Sequence, residues 1–325
     1  MEPVLVTFDA SGHQREAIEH GLDGAGEPVF LPDLAGTDRA DAIRRAVVLL
    51  SMSWNRELDQ DERAMTGSVR LVQFVSAGLD HVRFDDIPPG VAVAGNSGAY
   101  AGPMAEHALA MAMALAKRLP QRHAALRAGD FDQRSRGLRV LGMSCGVVGF
   151  GGIGKAVARL FRAVGFRILA INSSGRTEEP VEFCGTLTAL DRVLRDAGAL
   201  VLSLPLTNRT RGLIGRRELD LMRPNAILVN LARGALVDED ALFEHLERNP
   251  EFTAGLDAWW VEPSGNERFE LRRPFLDLPN VLGSPHNSAI VPGAVTDAIG
   301  AAARNVARFL RGEEIVGLAD RADYT

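Results

Sequence analysis

Three glycines near the middle of this 325-residue chain have the spacing G-x-G-x-x-G. They follow a short apolar run at 145–148 and precede a segment at 155–164 whose apolar residues recur at helical spacing. In such a turn the first glycine permits the bend, the second lets backbone approach a phosphate, and the third allows close packing. Glycines also serve backbone geometry alone, but the order of strand, glycines and helix favours dinucleotide binding. The candidate cofactor-binding residues here are Gly149, Gly151, Gly152, Ile153 and Gly154.

A cation, a carboxylate and an imidazole follow three later strand-like runs, at Arg233, Glu262 and His286. Ligands of parallel α/β sheets bind at the carboxyl ends of the strands, where these side chains are expected. An arginine can bind a carboxylate through two parallel hydrogen bonds. A histidine can give a proton to a developing alkoxide, and a carboxylate can hold the tautomer of that histidine. This set of groups suits hydride transfer to a keto acid.

Each of these residues also has a structural interpretation. An Arg-Gly pair is most often a turn with a solvated arginine, and a Glu-Pro pair is often part of a loop. A single histidine is more often a structural hydrogen-bonding group than an acid catalyst. Taken singly, Glu262 is better explained as a loop residue. For His286 the structural and the catalytic interpretations both stay open, because spacing alone does not bring the two residues together.

The end of the strand predicted at 167–171 bears on the choice between NAD and NADP. NAD-selective sites place an acidic residue there to bind the ribose 2′-hydroxyl. This chain has an asparagine, followed by residues that can donate hydrogen bonds to a 2′-phosphate. The segment can also be a polar turn with a solvated arginine. We predict NADP as the preferred cofactor, with NAD possible, and the residues concerned are Asn172, Ser173, Ser174 and Arg176.

The composition is that of a globular protein, with 46% hydrophobic and 24% charged residues. A net charge of −6 gives no reason to expect nucleic acid or an anionic membrane as a partner. Two cysteines exclude a disulfide framework, and the N-terminal residues lack the features of a signal peptide. We therefore expect a cytoplasmic protein, and we predict no metal site.

Alternating strand and helix patterns predict an α/β fold with two doubly wound parallel sheets. A helix predicted over 104–119 and stopped by Pro120 separates the two units. Its apolar residues surround the axis, so we expect it to be buried, between domains or subunits. The amphipathic segment 294–310 predicts a C-terminal helix, and other helices are expected at 190–195 and 239–248. The predicted strands are 4–8, 47–50, 71–75, 91–94, 145–148, 167–171, 200–204, 226–230, 253–256 and a short one near 281.

Five motifs in order resemble the D-isomer-specific 2-hydroxyacid dehydrogenase family, which includes glyoxylate/hydroxypyruvate reductases and phosphoglycerate dehydrogenases. The similarity runs from about residue 76 to residue 286. The motifs are Ser-Ala-Gly-Leu-Asp at 76–80, Ala-Glu-His-Ala-Leu at 105–109, the glycine turn, Asn-Leu-Ala-Arg-Gly at 230–234, and 257–263 with Pro-His at 285–286.

The resemblance implies roles for particular residues. The matching arginine, glutamate and histidine are catalytic in the family, so these roles pass to Arg233, Glu262 and His286. The Ser-x-Gly turn offers backbone N–H groups to the substrate carboxylate, and Asp257 is expected to contact the nicotinamide carboxamide. The remaining implied residues are Ala77 and Gly78 for the substrate, and Leu204, Pro205 and Thr210 for the cofactor.

The resemblance also implies the organisation and the reaction. Residues 1–98 with 288–325 would form a flavodoxin-like substrate domain, and 99–287 a Rossmann-like NAD(P)-binding domain, with a cleft between them. The family is usually dimeric through an arm around the long helix, so a homodimer is expected. The implied activity is hydride transfer from NAD(P)H to a short 2-keto acid, such as glyoxylate or hydroxypyruvate, giving the D-2-hydroxy acid.

Differences from two related classes of enzyme argue against phosphite and formate as substrates. Residues 76–79 contain no lysine, unlike the same turn of phosphite dehydrogenases, and Glu262 stands where formate dehydrogenases carry glutamine. The alternative function is a nucleotide-sensing binding protein like the transcriptional corepressors of this fold, although long disordered tails and basic segments are missing. Five residues either line the pocket or belong to the core: Met52, Trp54, Tyr100, Trp259 and Trp260.

Overall fold

The computed structural model describes residues 1–263 and 268–325. They divide into two compact units, one formed by Met1–Tyr100 with Ile290–Thr325 and the other by Ala101–Ala289. The predicted domain boundaries lie at 98/99 and 287/288. Each unit is an α/β layer structure around a parallel sheet, and the predicted fold class is confirmed.

The first unit has a five-stranded sheet in the order β2-β1-β3-β4-β5, the flavodoxin-like order. The central strands are short apolar runs that are buried on both faces, as parallel strands covered by helices must be. The strands are β1 Glu2–Val6, β2 Gly26–Phe30, β3 Val48–Ser51, β4 Leu71–Phe74 and β5 Ala92–Ala94. The helices are α1 Gly12–Leu22, α2 Gly36–Arg45, α3 Trp54–Glu57 and α4 Gln60–Ala64, with a C-terminal helix at Ala294–Leu310.

The second unit has seven parallel strands in the order β12-β11-β10-β9-β6-β7-β8. Chain order reverses between β6 and β9, and ligands of doubly wound sheets bind at such a switch point. The strands are β6 Ser144–Val148, β7 Arg167–Ile171, β8 Phe183–Gly185, β9 Ala199–Leu202, β10 Ile227–Asn230, β11 Thr253–Leu256 and β12 Val281–Gly283. The helices are α5 Ala101–Ala116, α6 Leu119–Arg127, α7 Gly152–Ala163, α8 Leu190–Asp196, α9 Arg216–Leu221 and α10 Glu239–Arg248.

Side chains of the second sheet alternate between two apolar clusters. In β9, Ala199 and Val201 belong to the cluster under α5 and α7, whereas Leu200 and Leu202 belong to the cluster under α8, α9 and α10.

Single 3-10 turns complete the two units, at Leu31–Asp33, Phe84–Asp86, Leu187–Ala189, Gly234–Leu236, Phe275–Asp277 and Arg321–Asp323. In the part of the chain that the structure describes, no helix is long and apolar enough to cross a membrane.

The helix predicted over 104–119 is wrong at both ends. It spans Ala101–Ala116, and Arg118 then adopts a left-handed conformation with φ of 54°. Pro120 does not stop this helix but stands in the first turn of α6, where its missing N–H costs nothing.

The burial predicted for this helix holds for one face only. That face packs on α7, β10 and β11, while Glu106 and Ala110 on the other side are exposed in the single chain. The role of the helix between subunits stays a prediction. The buried residues are Ala105, Ala108, Met111, Ala112, Leu115 and Ala116.

Among the residues that the structure describes, two strands were not predicted, and both lie at sheet edges. Gly26–Phe30 contains Pro28, which an edge strand tolerates because only one side needs ladder hydrogen bonds. Phe183–Gly185 has three half-buried residues and pairs only with β7. Edge strands of this kind lack the continuous apolar run that marks a central parallel strand.

Candidate active site

The glycine turn joins β6 to α7 at the switch point of the second sheet. Gly149 has a φ of 99°, and a Cβ there would overlap the backbone of Leu204. A Cβ at Gly154 would overlap the carbonyl oxygen of Gly149, whereas one at Gly151 would meet open space. The first N–H groups of a helix have no partner within it, so those of Gly152 and Ile153 are suited to a phosphate. The turn therefore fits a dinucleotide pyrophosphate.

The loop after β9 lies beside the glycine turn. Ser203 Oγ donates to Gly149 O at 3.0 Å, and Leu204 is 7% exposed beneath the turn. Thr210 Oγ1 donates to Pro205 O at 2.8 Å and accepts from Thr207 N at 2.8 Å. The hydroxyl of Thr210 thus forms hydrogen bonds within its own loop. The cofactor contacts of Leu204, Pro205 and Thr210 stay predictions.

The turn after β7 is closed by the side chain of Asn172. Asn172 Oδ1 accepts from Gly175 N at 2.7 Å, and Nδ2 donates to Arg176 O at 2.8 Å. Ser174 Oγ also donates to Arg176 O, at 3.2 Å. An aspartate could accept the first of these hydrogen bonds but could not donate the second. Ser173 and Arg176 are exposed.

Arg176 also lines an open pocket of about 600 Å³. Lys155, from the first turn of α7, adds a second cation to this pocket, which the sequence analysis did not assign to the site. Of the two glutamates in the lining, Glu179 is hydrogen-bonded to Arg159, which holds the pKa of that carboxyl below its usual range. The lining residues are Lys155, Arg176, Thr177, Glu178 and Glu179.

Arg233 stands in a turn that Asn230 closes at the end of β10. The fully buried Asn230 donates from Nδ2 to Arg233 O at 2.8 Å and accepts from Ala232 N at 3.1 Å. Arg233 Nη1 donates to Ala232 O at 2.8 Å, and the side chain is half-buried. The guanidinium is therefore carried by a hydrogen-bonded turn at the carboxyl end of a central strand.

Two tryptophans fasten the loop that carries Glu262. Trp260 Nε1 donates to Val237 O at 2.7 Å, and Trp259 Nε1 donates to Ser284 O at 2.8 Å. The loop is thus tied on one side to the segment after Arg233 and on the other to the segment before His286. Of the five aromatic or apolar pocket candidates, Trp54 and Trp259 are core residues at 2% and 6% exposure.

Gly234 allows the loops of Arg233 and Glu262 to touch. A Cβ at Gly234 would overlap the backbone of Trp259 and Trp260. We expect Gly234→Ala to lower the free energy of unfolding by roughly 3 kcal/mol, because backbone must move to admit the methyl group.

Urea unfolding of the two alanine variants Gly234→Ala and Gly102→Ala tests this expectation. Gly102 lies at the exposed start of α5, where a Cβ meets open space, and its replacement should change stability by no more than about 1 kcal/mol. Equal midpoints for the two variants would contradict the close packing of the loops.

The structure brings Glu262 and His286 into contact, which the sequence did not predict from spacing. Nδ1 of His286 lies 2.9 Å from Oε1 and 2.8 Å from Oε2 of Glu262. Glu262 Oε1 also accepts from Trp259 N at 3.0 Å. Burial opposes ionisation of Glu262, but the hydrogen bonds from His286 and Trp259 and the charge of Arg233 hold its pKa below the usual range. An ionised Glu262 fixes the proton of His286 on Nδ1 and leaves Nε2 for another group.

His286 has a left-handed backbone, with φ of 48°, which is uncommon for a residue with a side chain. The buried Asp257 holds it there. His286 N donates to Asp257 O at 2.8 Å, and the carboxylate accepts from Asn287 N at 3.0 Å and Ser288 N at 3.1 Å. These contacts maintain a conformation that costs roughly 1–3 kcal/mol and that clusters at functional sites.

The predicted substrate turn belongs to the first unit and follows β4. Ser76 Oγ donates to Gly78 O at 3.1 Å, and Asn96 N donates to Ser76 O at 2.8 Å. Ala77 and Gly78 are half-buried in this turn. Their role toward a substrate stays a prediction.

Comparison with known proteins agrees with the motifs. Residues 109–288 match the model of the D-isomer specific 2-hydroxyacid dehydrogenase NAD binding domain. A glyoxylate reductase from Thermococcus gammatolerans is 33% identical over 254 residues, which cover 75% of this chain and 74% of that enzyme. A D-3-phosphoglycerate dehydrogenase from Methanocaldococcus jannaschii is 30% identical over 90% of this chain, which spans only 55% of the length of that relative.

Solved structures of similar proteins match both units. A Pyrobaculum aerophilum protein provisionally described as a formate dehydrogenase has a TM-score of 0.80 at 29% identity, with 99% of both chains covered. A D-isomer specific 2-hydroxyacid dehydrogenase from Xanthobacter autotrophicus, in complex with NADPH and MES, has a TM-score of 0.77 at 25% identity, with 98% of both covered. The chain belongs to the D-isomer-specific 2-hydroxyacid dehydrogenase family of oxidoreductases.

Proposed function

We propose that this protein reduces a short 2-keto acid to the D-2-hydroxy acid, using a reduced nicotinamide dinucleotide. The observation that carries the proposal is the contact of His286 Nδ1 with both oxygens of Glu262, within the electrostatic reach of Arg233. A proton donor, its orienting carboxylate and a carboxylate-binding cation are the groups that this reduction needs.

Each residue has a defined task in this proposal. Arg233 binds the substrate carboxylate with its planar fork, and the backbone N–H groups of Ala77 and Gly78 bind it from the substrate turn. Glu262 holds Nδ1–H of His286, so protonated His286 gives the Nε2 proton to the carbonyl oxygen. A bound reduced nicotinamide would supply the hydride for the carbonyl carbon, and Asp257 is the residue that the family resemblance assigns to its carboxamide. One proton and one hydride together convert the keto group to a hydroxyl group.

Glyoxylate is a proposed substrate because the relative from Thermococcus gammatolerans is a glyoxylate reductase. Hydroxypyruvate is proposed with it because the family that the chain resembles includes glyoxylate/hydroxypyruvate reductases. A homodimer and a cytoplasmic location belong to the same proposal. The test measures oxidation of NADPH or NADH at 340 nm in the presence of glyoxylate, hydroxypyruvate, pyruvate or phenylpyruvate. A parallel assay measures reduction of NAD(P)⁺ in the presence of formate. Turnover of formate alone would favour the activity suggested for the Pyrobaculum protein. Nucleotide binding with no turnover of any substrate would favour the corepressor-like alternative.

We propose NADPH as the preferred hydride donor, because the similar Xanthobacter structure contains NADPH. Support comes from the exposed Ser173 and Arg176 after β7 and from Lys155 in the same pocket. Asn172 and Ser174 act indirectly, since their side chains close the turn that presents Arg176.

We expect Arg176→Ala to weaken NADPH binding by about 10–100-fold and to leave NADH binding unchanged. A charge-assisted hydrogen bond contributes about 1.5–3 kcal/mol, and only NADPH carries the phosphate that receives it. Fluorescence titration of both reduced cofactors measures the effect, with Arg217→Ala on α9 as the matched surface control. Equal affinities of the unaltered protein for NADH and NADPH would refute the preference.

A further inference from the structure

One face of α7 carries three cations, Lys155, Arg159 and Arg162, at the helical spacing i, i+4 and i+7. This face contacts the segment that follows the turn after β7. Both carboxylate oxygens of Glu179 accept from Arg159, Oε2 from Nε at 3.2 Å and Oε1 from Nη2. Arg162 Nη1 donates to Pro180 O at 2.9 Å. Helix and segment are thus joined beside the open pocket of about 600 Å³.

Two cations and two carboxylates line this pocket, so its net charge depends on how each carboxylate is compensated. Glu178 is exposed, and water screens its charge. The side chain of Glu179 is only 16% exposed, and Arg159, outside the lining, supplies the compensating charge. With Arg159, the lining groups and their partner carry one net positive charge. Without Arg159, the charges of Lys155 and Arg176 would only cancel those of the two glutamates.

Glu179 lies within electrostatic reach of the cations in this pocket. The hydrogen bond from Arg159 lowers the pKa of Glu179, and the charges of Lys155 and Arg162 act in the same direction, whereas burial opposes them. A glutamate that senses Lys155 would also sense a phosphate bound beside Lys155. Like charges repel, so a Glu179 without its partner would oppose such a phosphate.

We infer that Arg159 promotes binding of the NADPH 2′-phosphate by neutralising Glu179, so that Lys155 and Arg176 present a net positive charge to that phosphate. This inference rests on the proposed binding of NADPH in this pocket. Arg159 is a positioning residue, which acts through Glu179 and need not touch the phosphate. NADH carries an uncharged hydroxyl at the same place, so its binding should not depend on the ion pair.

The test is fluorescence titration of NADPH and NADH with the full chain carrying changes in the ion pair. Arg159→Ala leaves Glu179 uncompensated and should weaken NADPH binding by about tenfold. Glu179→Gln removes the negative charge and should tighten NADPH binding by about threefold. The two changes together remove one charge of each sign and should restore NADPH affinity to within about threefold of the unaltered protein. NADH affinity should stay within about twofold in all three variants.

This order of affinities separates a role of charge from a role in holding the segment. If the ion pair served only as an anchor, the two single variants and the double variant would all weaken NADPH binding alike. That result, or equal weakening of NADPH and NADH, would overturn the inference.

Salt and a second ion pair provide the controls. Raising the NaCl concentration from about 20 mM to about 500 mM should reduce the loss caused by Arg159→Ala to about threefold or less, because salt screens the charge of Glu179. A loss that does not respond to salt would contradict the electrostatic role. Arg216→Ala and Glu244→Gln break a comparable pair between α9 and α10, and neither should change the affinity for either cofactor.

The same titrations separate this inference from the proposed cofactor preference. Equal affinities of the unaltered protein for NADPH and NADH, with the predicted order of NADPH affinities among the variants, would refute the preference and leave the role of Arg159 intact. A clear preference for NADPH that none of the three variants changes would refute the role of Arg159 and leave the preference intact. An unaltered protein that binds neither cofactor would overturn both.

Discussion

Replacing His286 with alanine is expected to lower kcat for 2-keto acid reduction by roughly 10²–10⁴-fold. The variant loses the proton donor whose Nδ1 is held by Glu262 at 2.8 Å. Because the imidazole donates to the keto oxygen, we expect the dissociation constant of the reduced cofactor to change little. Steady-state kinetics with the best substrate of the panel, together with cofactor titration, measure both quantities.

The left-handed backbone of His286 calls for a second variant and a control. Asparagine tolerates a positive φ better than most residues, so His286→Asn should keep the conformation and still lack the acid. His13→Ala, at an exposed position of α1, should behave as the unaltered protein. Near-normal turnover of both His286 variants, with unchanged circular dichroism, would remove this residue from the proposed mechanism.

Arg233→Lys is expected to lower kcat/KM by about 10²-fold although the charge is kept. Lysine presents a single ammonium and loses the two parallel hydrogen bonds of the guanidinium to a carboxylate. Each such bond contributes about 1.5–3 kcal/mol, so losing one accounts for a change of this size.

Arg233→Ala provides the complementary measurement. Added guanidinium ion should partly restore its turnover, since the turn built by Asn230 remains to receive it. Equal kcat/KM for lysine and arginine at this position would show that bidentate recognition is wrong.

The sequence predicted the strands that carry the site, because buried parallel strands are short apolar runs. The runs that became β9, β10 and β11 lie within two residues of their predicted ends. The edge strands β2 and β8 were missed because an edge strand is partly exposed to solvent and lacks a continuous apolar run. In β2 the edge position also tolerates Pro28. Pro120 was misread because a proline ends one helix and begins another with equal ease.

The contacts within the site could not be predicted from spacing. Glu262 and His286 are 24 residues apart in the chain, and the loop that carries Glu262 packs on Gly234, where a Cβ would overlap the backbone of Trp259 and Trp260. The side chain of Asn172 was assigned to the cofactor by analogy with an acidic residue, yet its amide hydrogen bonds close its own turn. His107 stood in a recognised motif, but its partner Ser284 lies 177 residues away.

The configuration of the product is the most direct test of the proposed reaction. Hydroxypyruvate or pyruvate, whichever is turned over faster, is reduced to completion with excess NADPH or NADH, and the product is resolved by chiral chromatography. The D-2-hydroxy acid alone is expected, formed by the unaltered protein and at least 10²-fold more slowly by His286→Ala. Formation of the L-isomer, a racemate, or no 2-hydroxy acid from any keto acid of the panel would contradict the account.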